Sequence, residues 1–169
     1  MANQTRPRIN VEMTSFDMLL EALAAVGLIL LLVLPIWNFY DLPDTIPTHF
    51  NHLGEPDQYG SKNQVWILPV LGTGLFVLFT ILARFPHIYN YAVRITEENA
   101  ASQYRMAVYL IRGLKAMCML LFAYIIWATV QGALQHGTPL DNRVMFGFMG
   151  SIGLFLAWYI FRSVWVKQP

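Results

Sequence analysis

Residues 22–39 read ALAAVGLILLLVLPIWNF, with Glu21 before the run and Asp41 shortly after it, and no acidic or basic side chain between. A helix of that length extends about 27 Å at 1.5 Å per residue, close to the ~30 Å hydrocarbon core of a bilayer. The wider apolar stretch, Met18 to Tyr40, exceeds the ~7–15 residues of a signal-peptide core, and no small-x-small cleavage site follows it. A retained membrane anchor is therefore expected. Three further runs have the same character: Val65 to Ala83, Gly113 to Ala133 and Val144 to Trp165. In hydrocarbon every backbone amide must be satisfied within its own segment, so each run reads as a transmembrane helix. The expected fold is an all-α membrane protein, a four-transmembrane-helix bundle forming one domain over residues 1–169. Its helices are placed at about 16–39, 65–83, 97–133 and 144–165, with an ordered extracytoplasmic loop at 41–64.

Composition agrees with this reading. Hydrophobic residues make up 56% of the chain and charged residues 12%, where a soluble domain carries about a quarter charged. A net charge of +1 with scattered Lys and Arg excludes a nucleic-acid binder, which needs a concentrated basic face. The single cysteine, Cys118, lies in an apolar run and has no partner for a disulfide or a cysteine-based metal knuckle.

Orientation follows from where the basic residues fall, because Lys and Arg resist translocation. Arg6, Arg8, Arg84, Arg94, Arg105, Arg112, Lys115, Arg162 and Lys167 gather on one side, against Lys62 and Arg143 on the other. Both termini are thus expected in the cytoplasm. Thr96-Glu97-Glu98 reads as a helix start, so the third helix should begin outside the bilayer and carry Arg105, Arg112 and Lys115 towards lipid headgroups. A pair between Glu21 and either Arg112 or Lys115 is expected at that level. With no ionisable group at the expected midplane, a proton-coupled transporter is not expected. Gly147, Gly150, Ser151 and Gly153 form a small-residue stripe on the fourth helix, a helix-packing surface expected to serve contacts within the bundle.

The loop DLPDTIPTHFNHLGEPDQYGSKNQ, residues 41–64, holds Pro43, Pro47, Gly54, Pro56 and Gly60, a density of turn formers that implies a fixed shape. Its pattern L-P-x-x-I-P-T-H-F-N-x-x-G-x-P-D-x-Y-G-S-K between two apolar helices resembles the membrane domain in the N-terminal part of SdpI-type bacteriocin immunity proteins. The resemblance rests on Leu42, Pro43, Ile46, Pro47, His49, Phe50, Asn51, Gly54, Asp57, Tyr59, Gly60 and Lys62 and covers mainly residues 20–83. It implies a short, stand-alone, four-helix member in a bacterial inner membrane. It further implies a non-enzymatic binding, immunity-like or accessory subunit that acts through its outer loop on an extracytoplasmic peptide or another membrane subunit.

Two readings of the loop chemistry stand beside each other. In one, Pro47, His49, Asn51, Gly54, Asp57, Gly60 and Lys62 form a structural fastener, with His49 and Asn51 bonding loop backbone and Asp57 paired to Lys62. No cofactor is then needed. In the other, His49, His52 and Asp57 bind a divalent metal such as zinc, with Glu55 as base and the distant His136 on the same face of the membrane, and the chain is a small metal-dependent membrane enzyme. The spacing lacks the helical HExxH signature, and neither a Ser-His-Asp set nor a phosphate-binding glycine loop is present.

Overall fold

The computed structural model describes residues 6–135 and 140–165. They form α1 (Ser15–Asn38), β1 (Thr45–Phe50), β2 (Pro56–Ser61), a 3-10 turn (Lys62–Trp66) leading into α2 (Ile67–Leu82), α3 (Ala100–Gln135) and α4 (Asn142–Trp165). All four α-helices, counting the 3-10 turn with α2, are long and apolar enough to cross a membrane. They run up and down in turn. One end of the bundle carries the β-hairpin and the start of α4; the other carries the start of α1, the 83–99 connection and the end of α4.

The turn-rich loop is thus not irregular throughout, since it contains a two-stranded antiparallel sheet. The chain is mostly, not wholly, helical.

Local signals explain where the helices begin. Thr14 and Asp17 form a reciprocal capping box, the hydroxyl accepting from Asp17 N at 3.2 Å and the carboxylate from Thr14 N at 2.8 Å. Thr96 and Asn99 repeat the device just before α3, with Thr96 N donating to the Asn99 side chain at 2.9 Å. Pro69 falls in the first turn of α2, where its missing N–H removes no helical bond.

Helix α3 is the central element, packing against α1, α2, α4 and β1. Lipid would reward no burial of apolar surface, so close approach and interlocking must hold such a bundle together. The α1–α3 seam shows this directly. Ala24 and Gly27 face Ala116 and Met119, and a Cβ at Gly27 would lie 2.8 Å from the backbone carbonyl carbon of Met119. Glycine is therefore required there by space. Helix α4 is different, for it leans on α3 near Gly113, where a Cβ would strike the Phe155 ring at 2.3 Å. A Cβ at Gly147, Gly150 or Gly153 would meet nothing within 4 Å, and Ser151 bonds only its own helix at Phe148 O. The three glycines of the stripe thus have open space beside them, while Ser151 is partly buried.

The first half of α3 does not project freely. Ala100, Gln103, Tyr104, Ala107 and Val108 are buried, roofed by residues 6–14, by the 86–99 connection and by the end of α4. Tyr104 donates to Pro7 O at 3.0 Å, Gln103 Nε2 to Ser163 O at 3.2 Å, and Arg6 lies 5.7 Å from the centre of the Tyr91 ring. Burial pushes the Tyr89 phenol up to about 12 against the opposing pull of Arg112, which keeps it a donor to Leu82 O.

Arg112 and Lys115 consequently turn inward and not towards headgroups. Arg112 Nη1 lies 2.5 Å from Asp17 Oδ1 and its Nε 3.4 Å from Glu21 Oε1. Lys115 Nζ lies 2.5 Å from Glu21 Oε2, accompanied by the Thr80 hydroxyl at 3.1 Å and the Phe76 ring at 4.8 Å. Lys115 is 0% exposed and Asp17 1%. The Asp17–Arg112 contact is ionic and not a well-aligned hydrogen bond. Two acids thus neutralise two bases inside the seam, and the expected Glu21 partnership is made with both cations at once.

Candidate functional site

The hairpin is the part of the molecule with both a fixed shape and polar chemistry. Thr45, Ile46, Thr48 and Phe50 favour a pleated chain, whereas β2, PDQYGS, has little strand preference of its own. Pairing supplies the order, with Ile46 opposite Gly60 and His49 opposite Gln58. Ile46 points down and joins Leu42, Val65, Leu31, Ile126 and Val130 in a core that plugs this end of the bundle. The hairpin is therefore part of the packed structure.

Its turn is built by Asn51. The side-chain oxygen accepts from Leu53 N at 2.8 Å and Glu55 N at 3.0 Å, while Asn51 N donates to Glu55 O at 2.8 Å. An asparagine is suited to this because its short amide mimics a backbone turn. Gly54 adopts φ +81°, the left-handed region that glycine enters without penalty. Its carbonyl accepts from Leu140 N at 2.8 Å, and Asn142 donates to His52 O. Asp141 N donates to the Tyr124 hydroxyl at 2.9 Å. The tip is thereby fastened to the start of α4 and, through Tyr124, to α3.

The base of the hairpin is closed by Lys62. Its Nζ lies 3.2 Å from Asp44 Oδ1, its N–H donates to Asp44 O at 3.0 Å, and the ammonium sits 5.7 Å from the Phe39 ring centre. The expected Asp57–Lys62 pair is not formed. Asp57 instead meets His49 across the strands, Oδ1 to Nδ1 at 2.5 Å, because the hairpin register brings 49 beside 57 while 62 turns away towards α2. Gly60 leaves room for Gln64, whose Oε1 would lie 2.0 Å from a Cβ there. Pro47, within β1 and opposite Tyr59, is buried.

His49, His52 and Asp57 do not converge. His49 and Asp57 touch, but His52 takes part through its carbonyl, and Glu55 bonds the Asn51 amide at 3.3 Å. Among the described residues no three His, Cys, Asp or Glu side chains group closely enough to hold a metal ion. His136 lies outside the described residues.

Under the hairpin lies a cleft of about 450 Å³ between β1, the start of α2 and α3. Thr48, His49, Gln58, Gln64 and Thr129 supply its polar lining, and Ile67, Leu68, Ile125 and Ile126 its apolar lining. Sequence reasoning missed Gln58, Gln64 and Thr129. Nothing in their spacing marks them, for they meet only once the strands pair and α3 passes behind.

The chain is thus a four-helix protein whose helices are each able to cross a membrane, capped at one end by a hairpin that is tied down and hydrogen-bonding at its surface. The segment carrying that cap is matched by a family model. Residues 26–73, from α1 through the hairpin into α2, match the model of a family described as a domain of unknown function, DUF1648. An uncharacterized protein of Archaeoglobus fulgidus is 33% identical over 73 residues, 38% of this chain and 40% of the relative's length. No solved structure matches the chain.

Proposed function

We propose that the protein sits in a bacterial inner membrane with both termini in the cytoplasm and acts without catalysis, as a recognition or accessory subunit whose outer hairpin engages an extracytoplasmic peptide or another membrane subunit. The observation that carries this reading is the anchorage of the hairpin. Its tip is bonded to the start of α4 and its base is buried among α1, α2 and α3, so β2 offers a rigid edge with Gln58 and Tyr59 exposed. Rigid edges bind extended segments at low ordering cost. Orientation is supported by charge. Among the described residues the hairpin end carries Lys62 and Arg143, and the remaining Lys and Arg lie at or towards the opposite end. The motif at 42–62 resembles that of SdpI-type immunity proteins, which supports an immunity-like role in particular.

A second reading is favoured by one contact. A carboxylate bonded to one imidazole nitrogen is the arrangement that orients the other nitrogen for a metal, and His49–Asp57 has that form, as a small metal-dependent enzyme would require.

One experiment separates them. A photo-crosslinking residue placed at Tyr59 should trap a discrete partner in native membranes, and the same residue at Glu97 should trap none. Equal trapping from both positions, or none from Tyr59, contradicts the proposal. A stoichiometric divalent ion in the purified protein, lost in His49→Ala, supports the enzyme instead.

A further inference from the structure

We infer that the cleft beneath the hairpin binds the head of a membrane lipid, one whose headgroup offers N–H or O–H donors and carries no net negative charge. This rests on the reading above that the hairpin end is the recognition end, and names a ligand for it.

The first observation is the segregation of the lining. Thr48, His49, Gln58 and Gln64 line it from the hairpin and the turn that follows, and Ile67, Leu68 and Ile125 line it from α2 and α3. A water-soluble polar ligand would leave the apolar residues wet, and an alkyl ligand would make no use of the exposed Gln58 and Gln64 amides. An amphiphile satisfies both halves. The volume, about 450 Å³, falls within the ~300–1,000 Å³ usual for small-molecule sites.

The second observation is continuity. Ile67 lies on both the cleft wall and the exposed flank of α2, where Val70 and Leu71 are exposed as well. In a bilayer that flank faces acyl chains. A lipid can therefore place its head in the cleft while its tails stay in hydrocarbon along α2, with no need to leave the membrane.

Charge selects among lipids. No Lys or Arg lines the cleft, and the nearby Lys62 is committed to Asp44. The Asp57 carboxylate lies 2.5 Å from the His49 ring, which disfavours a net anion beside it. When Nδ1–H of the neutral ring donates to Asp57, Nε2 is left as an acceptor. A donor-bearing head, such as a protonated amine within a zwitterion, complements that set.

The test is native mass spectrometry of the purified full chain in detergent with an equimolar mixture of phosphatidylethanolamine, phosphatidylcholine and phosphatidylglycerol. The first has N–H donors and no net charge, the second lacks donors, and the third is anionic. One bound phosphatidylethanolamine should be retained about tenfold over either competitor, the ratio that one well-placed hydrogen bond supplies. His49→Ala should bring phosphatidylethanolamine and phosphatidylcholine within about twofold of each other, that hydrogen bond now being absent, while phosphatidylglycerol stays disfavoured by Asp57. Ile125→Trp, which fills the wall, should abolish retention. Indifference to headgroup, unchanged preference in His49→Ala, or a peptide retained in place of lipid would overturn the inference. The outcome does not depend on which compartment the hairpin faces. Lipid selectivity without a cross-link from Tyr59 would sink the subunit reading alone, and a cross-link without selectivity would sink the lipid site alone.

Discussion

Replacing Lys115 by Met should lower the stability of the detergent-solubilised protein by about 3 kcal/mol, at the lower end of the range for breaking a buried ion pair. Lys115 is wholly enclosed, with its charge balanced by Glu21 at 2.5 Å. Methionine keeps the volume but leaves Glu21 with only the longer Arg112 contact, at 3.4 Å. The Glu21 side chain retains 27% exposure, so part of its charge can be resolvated, which is why the smaller value applies. The decisive comparison is the double variant Lys115→Met, Glu21→Gln. Removing both charges together should restore most of the lost thermal stability, because no uncompensated charge is then left in the seam. If the double variant melts no higher than Lys115→Met alone, the two side chains are not coupled and the inward-turned cluster is wrongly placed.

Gly54→Ala should release the hairpin tip. Alanine at φ +81° costs about 1 kcal/mol or more from its Cβ alone. That Cβ would also lie 1.8 Å from Leu140 O, a backbone atom with little freedom to move. The tip must then separate from residues 140–142, losing the Leu140 N–Gly54 O bond and the Asn142–His52 contact, each worth about 1 kcal/mol net. A total loss of about 2–4 kcal/mol in local stability follows. Hydrogen exchange should show faster exchange at 51–55 and 140–142 while α1 and α2 keep their protection. Gly150→Ala, where the added carbon meets nothing, serves as the silent control. Equal exchange in both variants would contradict the anchorage on which the proposed function depends.

The helices were legible in the sequence because length and hydropathy are carried by every residue of a run, so the four stretches announce themselves without tertiary information. The loop was legible only as shaped. Its strands escaped notice because β1 contains Pro47 and β2 holds Pro56, Asp57, Gln58 and Gly60, residues that seldom mark a strand; pairing and the core around Ile46 override that preference. Missing the register also misassigned Asp57, since Lys62 is nearer in sequence while His49 is nearer in space. The Glu21 partnership could be read by matching levels along adjacent spans. The inward turn of Arg112 could not, because nothing local says that residues 6–14 and the 86–99 connection roof the first half of α3. The glycine stripe on α4 was visible as a stripe, but a periodic pattern does not say which neighbour, if any, it faces.

The central claim is that four helices cross the membrane and hold the hairpin outside. It is tested most directly by thiol labelling in a Cys118→Ser background, with Glu55→Cys at the hairpin tip and Glu97→Cys before α3, both exposed positions. With a membrane-impermeant maleimide on right-side-out vesicles, residue 55 should label at once and residue 97 only after the membrane is permeabilised. Labelling of both positions from the same side would contradict the arrangement.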